Sequence, residues 1–281
     1  MENTEKVYLP DNSIRKGYGP IFGEIFRELA ANRWLTYQLF KRDFFALYKQ
    51  SFIGMLWVFI IPIFSVSTFV VLKRSGIFSI GLIDAPYPIF AILGIAYWQL
   101  FSSGLIASTN SLSEAGAMIK IISFSKKSLV ISAVGRAVVS FLIQFFLVGI
   151  LFLWFRWMPT PWILVAPFMA LPLLILTLGL GFILSLLNAV MRDIGNALSM
   201  LMTFLMFLTP VLYSRPTSGT LAEITRFNPM YYLISAPRDL ILTGRVLELK
   251  GYLFSVLFSA VLFIVCLVIF HLTETKITER V

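Results

Sequence analysis

The sequence predicts an all-α integral membrane protein with six transmembrane helices, an N-terminal cytoplasmic interfacial helix and a re-entrant helical segment between spans five and six. Three observations predict it. Apolar residues make up 58% of the chain and charged residues 13%, against roughly 45–50% and about 25% in a soluble domain, so most of the chain meets a nonaqueous solvent. Six charge-poor runs are long enough to cross a hydrocarbon core of about 30 Å, which takes about 20 helical residues. None of them alternates with the period of two that a membrane β-strand requires, and a helix satisfies its own backbone in lipid.

Taken in order, residues 1–50 are polar and mixed, without the apolar core of a secretory signal. Within them, 33–50 sets Trp34, Tyr37, Phe40, Phe44 and Leu47 at three- or four-residue steps beside Arg33, Lys41, Arg42 and Lys49. That pattern suits a helix lying at the headgroup level, with a soluble amphipathic helix packed on a partner as the alternative. The transmembrane domain covers 51–273, with spans at about 51–72, 87–107, 131–154, 163–189, 194–213 and 252–271, and a short polar tail occupies 274–281. Prolines 62, 167, 172 and 210 fall inside these runs. Each removes a backbone donor, so bent helices are expected.

Two connections carry more than a turn. The segment 108–128 holds Glu114 and then an apolar patch of Ile121, Ile122 and Phe124, with Lys120, Lys126 and Lys127 beside it. Such a patch fits a partner groove with the lysines at its rim, whereas an ordinary basic connector is the plainer reading. The loop 214–250 is too long for a tight turn and too apolar for a solvated one. Inside it, Asn228 suits an N-cap, Pro229 the first helical position, and Thr243-Gly244 a stop. The helix so bounded is short for a span, so it is expected to be re-entrant or interfacial, an outer gate built around Asn228, Pro229, Tyr231, Tyr232 and Arg238. A cap with structural duty alone is the alternative.

Charge sets the orientation. With both termini inside, fifteen of the 23 lysines and arginines lie on the cytoplasmic side, in 1–50, 108–136, at Arg192 and in the tail, against eight outside. The net charge of +9 is thereby explained without nucleic acid. Arg136, nine residues beyond Lys127, reaches the same interface as an anchor, and Arg192-Asp193 reads as a boundary charge pair. Cys266 alone makes neither a disulfide nor a zinc site. An intramembrane enzyme would need nucleophiles, bases or metal ligands converging in the bilayer, yet His271 is the only histidine and no Asp or Glu interrupts an apolar run. No metal or cofactor bound by this chain is expected.

The order of several fragments resembles the membrane subunits of type 2 ABC exporters that move polysaccharides out of bacteria. Most specific are Lys41-Arg42-Asp43, then Tyr48-Lys49-Gln50-Ser51-Phe52-Ile53-Gly54-Met55-Leu56-Trp57 and Pro62, at the entry to the first span. Tyr87-Pro88-Ile89-Phe90 with Gly94 and Trp98, Arg192-Asp193, Thr209-Pro210-Val211, Asn228-Pro229 and Arg238-Asp239 follow in order. Ser123-Phe124-Ser125 departs from the family, which often has an aromatic-Phe-Pro turn there.

The resemblance implies a homodimer in the bacterial inner membrane, joined by two copies of a nucleotide-binding ABC ATPase. That partner would bind ATP and magnesium, and this chain has no GxxxxGK[ST] loop of its own. It further implies a lipid-linked polysaccharide as cargo, with O-antigen favoured over capsule or teichoic acid, and another type 2 exporter substrate as the alternative. Residues 108–128 then become the ATPase-coupling segment. Aromatic faces pack on the apolar faces of sugar rings, so Trp57, Tyr97, Trp98, Phe101, Phe204 and Phe207 are candidates to line the path, although aromatics are equally at home against lipid. The first, second and fifth spans are accordingly expected to face the path. Arg33, Lys41 and Arg42 are candidates for the phosphates of a lipid pyrophosphate carrier.

Overall fold

The computed structural model describes residues 19–49, 54–75, 85–116 and 124–277, and every regular element in them is helical. In chain order these are α1 (Gly19–Ala31), α2 (Arg33–Lys49), α3 (Trp57–Arg74), α4 (Tyr87–Glu114), α5 (Lys127–Trp154), α6 (Leu171–Val190), α7 (Asp193–Leu208), α8 (Thr220–Phe227), α9 (Pro229–Thr243) and α10 (Leu249–Ile277). Four helices are long and apolar enough to cross a membrane: α4, α5, α10, and α6 with the turn before it from Phe168. The apolar stretches in α3 and α7 are shorter.

The bundle is built around α4. It packs along α5 on one side and α6 on the other, α10 lies against α6, and α9 closes over the first turns of α4. The least apolar of the four long helices, α4, is the most enclosed, at 83%, and the most apolar, α10, is the least, at 28%. This ordering is the reverse of a water-soluble core, where the greasiest element goes inside. In lipid the outer helices gain by being uniformly apolar, and polar side chains are kept for contacts between helices.

Those contacts are specific. Gln144 of α5 donates from Nε2 to Oε1 of Gln99 in α4 at 2.6 Å. Asn188, near the end of α6, donates to the Thr109 carbonyl at 3.2 Å and to Asn110 Oδ1 at 3.1 Å, while its own Oδ1 accepts from the Gly195 backbone N–H at 2.8 Å. One amide thus ties α4, α6 and α7 together. A Cβ at Gly181 of α6 would sit 2.3 Å from Ser108 Oγ, so α4 and α6 approach as closely as they do only because that position has no side chain. Buried Ser108, Thr109 and Thr177 satisfy their hydroxyls on carbonyls of their own helices.

The expected bends are corrected by the helix boundaries. Of prolines 62, 167, 172 and 210, only Pro62 lies inside a helix. Pro167 and Pro172 fall in the short 3-10 turns and first turn that precede and open α6, where a missing N–H costs nothing, and Pro210 follows the end of α7. Two helices, α1 and α8, were not expected, and Pro237 is inside α9.

Helices α4, α6 and α10 run in one direction and α5 runs against them, so the molecule has two distinct ends. At one, α1, the start of α5 and the end of α10 meet, which brings residues 24–28 and 271–274 together. At the other, Thr160 beyond α5 bonds the Leu240 and Ile241 carbonyls of α9, at 2.7 Å from its Oγ1 and 3.1 Å from its N–H.

Substituting Gly181→Leu is expected to cost about 1–3 kcal/mol by overpacking the α4 and α6 contact. Gly149→Leu serves as the control, because a Cβ there meets nothing within 4 Å. Thermal unfolding of the two variants in lipid nanodiscs checks this, with a lowered midpoint for the first and an unchanged one for the second.

Candidate functional site

At the first end a buried charge cluster joins three helices. Lys127, fully enclosed, donates to Glu28 Oε2 at 2.8 Å and is ion-paired with Glu274. Lys126 donates to the Glu274 backbone carbonyl. His271 Nδ1 lies 3.4 Å from Glu274 Oε1 and 3.9 Å from Glu28 Oε2, and its Nε2 lies 4.0 Å from Glu24 Oε2. A buried ammonium is tolerated only with such partners, since its desolvation costs several kcal/mol. The ligand atoms of Glu28, His271 and Glu274 fall within 4.8 Å of one another, a spacing that suits a cation. Here the cation is the lysine ammonium.

This cluster corrects the expectation for 108–128. Lys126 and Lys127 do not stand at the rim of a docking patch; they are interior, because they neutralise carboxylates brought from both ends of the sequence. Lys120, Ile121 and Ile122 lie outside the described residues. Phe124 is half-buried against the apolar cluster at this end, and Glu114 is exposed at the end of α4. Beside it, Arg42, Asp43, Glu114 and Arg136 border a small cavity of about 50 Å³.

On α2 the aromatic set divides. Phe44 and Leu39 are buried, and the Phe40 ring packs onto Gly135 of α5, whereas Trp34 and Tyr37 are exposed. Arg33, Lys41 and Arg42 are all exposed. At about 100° per residue, Arg33 and Arg42 point to opposite sides of the helix, and Arg42 is paired with Asp43 at 2.8 Å. The three cations therefore make a spread strip, not a pocket.

The path candidates also divide. Tyr97, Trp98 and Phe101 are enclosed within the chain's own bundle: Tyr97 donates its hydroxyl to the Ala166 carbonyl at 2.8 Å and packs edge-on to Phe141. The expectation that α4 faces a path is corrected for these three, since α3, α5, α6 and α9 surround the helix. Trp57, Phe204 and Phe207 are exposed, at 42%, 61% and 52%. Only Gly195, Leu198 and Met202 of α7 are buried, and its open face mixes Phe204 and Phe207 with Asn196, Ser199 and Thr203.

At the second end α9 forms as the sequence indicates. Asn228 Oδ1 accepts the Met230 N–H at 3.0 Å, Pro229 opens the helix, and Gly244 closes it with φ of 77°, a left-handed conformation that glycine adopts without strain. The Asn228 amide also donates to Thr209 Oγ1 at 2.9 Å. Arg238, almost fully buried, donates to the carbonyls of Val211 at 2.8 Å and Pro210 at 3.2 Å, and its guanidinium lies 3.9 Å over the Phe90 ring. A Cβ at Gly94 would come 2.2 Å from the Val211 carbonyl oxygen, so the segment after α7 rests directly on α4. Arg238 thus locks α9, the end of α7 and the start of α4. Tyr231 is buried, and Tyr232 donates to the Arg226 carbonyl at 2.9 Å while its ring covers Gly251 of α10. Burial raises the Asp239 carboxyl to about 6, a rise that the neighbouring Arg238 only partly offsets.

A bundle with four membrane-length helices, and with its polar contacts held between them, defines a multi-pass membrane protein. Residues 35–242 match the ABC-2 type transporter family, and the chain belongs to that family. It is 29% identical over 221 residues to the O-antigen export system permease protein RfbA of Myxococcus xanthus, covering 75% of this chain and 82% of that one. Two proteins of the same name from Klebsiella pneumoniae are 27% identical over 208 residues, 73% of this chain and 78% of the relative, and 26% identical over 243 residues, 85% and 92%.

Lys127→Ala is expected to destabilise the fold by about 3 kcal/mol, because it removes the ammonium paired with the buried Glu274 carboxylate. Limited trypsin digestion, read at Arg27 and Lys41, should show α1 and α2 cleaved much faster than in the parent. For Asp239 the folded carboxyl holds its proton more tightly than the unfolded one, so ionisation opposes folding above about pH 6. That penalty fades as pH falls toward the ordinary carboxylate range. Asp239→Asn should therefore raise the unfolding midpoint at about pH 8, by at most about 3 kcal/mol, with a gain that shrinks toward pH 4.5.

Proposed function

We propose that the chain is the membrane permease of an ATP-driven exporter that carries a lipid-linked polysaccharide, O-antigen in the first instance, across the bacterial inner membrane. The observation that carries this reading is the family match together with relatives named as O-antigen export permeases, aligned over 73% to 85% of the chain. In the working assembly two copies pair, and two ATPase subunits supply the energy, with ATP and magnesium held by those subunits and no cofactor bound here. The chain crosses the bilayer six times, α3 and α7 being the shorter crossings, with both termini in the cytoplasm; the excess of lysine and arginine on that side supports this.

The uncovered faces of α3 and α7 support a path between the two copies. Ser67 and Thr68 beside Trp57 and Phe64, and Asn196, Ser199 and Thr203 beside Phe204 and Phe207, are exposed. Thr68, Ser199 and Thr203 bond carbonyls of their own helices, so the Asn196 amide is the costly group against lipid tails, and hydroxyls alternating with aromatic rings suit a hydrated glycan. Trp57, Phe204 and Phe207 are the aromatic contacts of that path. Residues 108–128 couple the permease to the ATPase through Glu114 and the apolar patch that ends at Phe124, and α9 closes the outer end. The spread strip of Arg33, Lys41 and Arg42 receives the phosphates of the lipid carrier at the cytoplasmic headgroups.

Vesicles holding the permease with an ABC ATPase that copurifies with it should take up lipid-linked glycan only when ATP is supplied. Uptake that ignores ATP, or none with any lipid-linked glycan, overturns the reading. Replacing Arg33, Lys41 and Arg42 together by Gln should lower export about tenfold or more at unchanged protein level, the loss of two or three charge-assisted contacts. Unimpaired export removes the carrier-binding role.

A further inference from the structure

Beside the Arg238 lock, at the end of the bundle where α4 begins and α5 and α7 end, lies a partly open cavity of about 180 Å³. We propose that it is a binding site for one neutral sugar residue, seated against Trp157 and held through its hydroxyls by Asp239. The proposal rests on the exporter reading for its biological ligand and names a site on the protomer that is separate from the path between α3 and α7.

The chemistry of the walls excludes other ligand classes in turn. Asp239 lines the cavity, and its carboxylate takes part in no hydrogen bond or ion pair among the described residues. A lipid tail or other purely apolar occupant would strip that carboxylate of water without replacing its hydrogen bonds, which costs several kcal/mol. An anion would meet the same carboxylate, and the two arginines on the wall are already committed. Arg215 is ion-paired with Glu248 and stacks 5.5 Å over the Tyr231 ring, while Arg238 is bound to the Val211 and Pro210 carbonyls. A cation would have Asp239 as its only anionic partner in the lining, beside the Arg238 guanidinium that offsets it.

A neutral polyhydroxyl ligand meets every wall. Vicinal hydroxyls are donors that a carboxylate accepts in pairs, while Thr243 on the same face of α9 already bonds the Asp239 and Arg245 carbonyls, so Asp239 is the polar group left for the ligand. Trp157 is half-exposed, packed on one side against the apolar core, and lines the cavity, where it offers aromatic surface to the C–H side of a sugar ring. A volume of about 180 Å³ takes a single sugar ring, and the open side leaves room for the rest of a glycan outside. A terminal or branching residue of the exported glycan fits, and its seat on α9 lies one residue from Arg238.

The test uses the full chain in lipid nanodiscs and saturation-transfer NMR with methyl α-D-mannopyranoside, methyl α-D-glucopyranoside and methyl α-L-rhamnopyranoside, against sodium glucuronate. Ring protons of at least one neutral glycoside should receive saturation. The signal should fall about fivefold or more in Trp157→Ala and in Asp239→Asn, the loss of a stacking face or of a charge-assisted bond. Asp239→Asn is the decisive variant, because it is expected to stabilise the fold. Equal signals in parent and Asp239→Asn, a stronger signal from glucuronate, or none from any glycoside overturns the site. ATP-driven uptake in vesicles is run alongside. Uptake without any glycoside signal sinks the cavity proposal and leaves the exporter reading intact, whereas glycoside binding without uptake does the reverse.

Discussion

The rest of the structure depends on how closely α5, α6 and α9 can approach α4. A bilayer supplies no hydrophobic drive between apolar helices, so their association rests on contact distance and on hydrogen bonds between helices. Gly94, Gly104 and Gly181 provide the first: a Cβ would collide with the Val211 carbonyl at Gly94 and with Ser108 at Gly181, and would crowd Thr177 and Ala137 at Gly104. Gln99 with Gln144, and Asn188 with Thr109, Asn110 and Gly195, provide the second. Once α4 is enclosed in this way, α3 and α7 are left at the periphery with open faces, and the two ends of the bundle are fixed relative to each other.

The ends are held by different chemistry. One uses full charges: ammonium and carboxylate groups from α1, α5 and α10 meet in the interior, where each depends on the others being present. The other uses a single guanidinium spread over two backbone carbonyls and an aromatic face, with the adjacent carboxylate left toward a cavity. An arginine bound to carbonyls can exchange them for water or for another acceptor without stranding an opposite charge. The charge cluster has no such exchange. The first end therefore behaves as a fixed anchor and the second as the part that can rearrange.

What the sequence disclosed follows the range over which each signal acts. The α9 boundaries were legible because Asn228, Pro229 and Gly244 act on their own neighbours in the chain. The long helices were legible from apolar length alone. Lys126 and Lys127 were misread as a rim because their partners lie 99 to 148 positions away, and nothing local marks them as interior. The enclosure of Tyr97, Trp98 and Phe101 did leave a trace, since α4 carries the amides Gln99 and Asn110 with Ser108 and Thr109, whereas the most exposed long helix, α10, has only Ser255 and Ser259 as polar residues between Tyr252 and His271. Helices α1 and α8 are short, 13 and 8 residues, and gave too few turns of periodicity to stand out.

The charge cluster has a consequence for the order of synthesis. Glu28 leaves the ribosome about a hundred residues before Lys127, and Lys127 almost 150 before Glu274. During that interval the emerging N-terminal helix has an exposed carboxylate and an apolar side, with no finished surface to bind. Only when the final helix is inserted does the last carboxylate arrive and the interior become neutral enough to close. A chain truncated before residue 274, or stalled there, would leave that seam open and present an exposed lysine and glutamate to quality-control proteases, so the seam reports that α10 has been made and inserted.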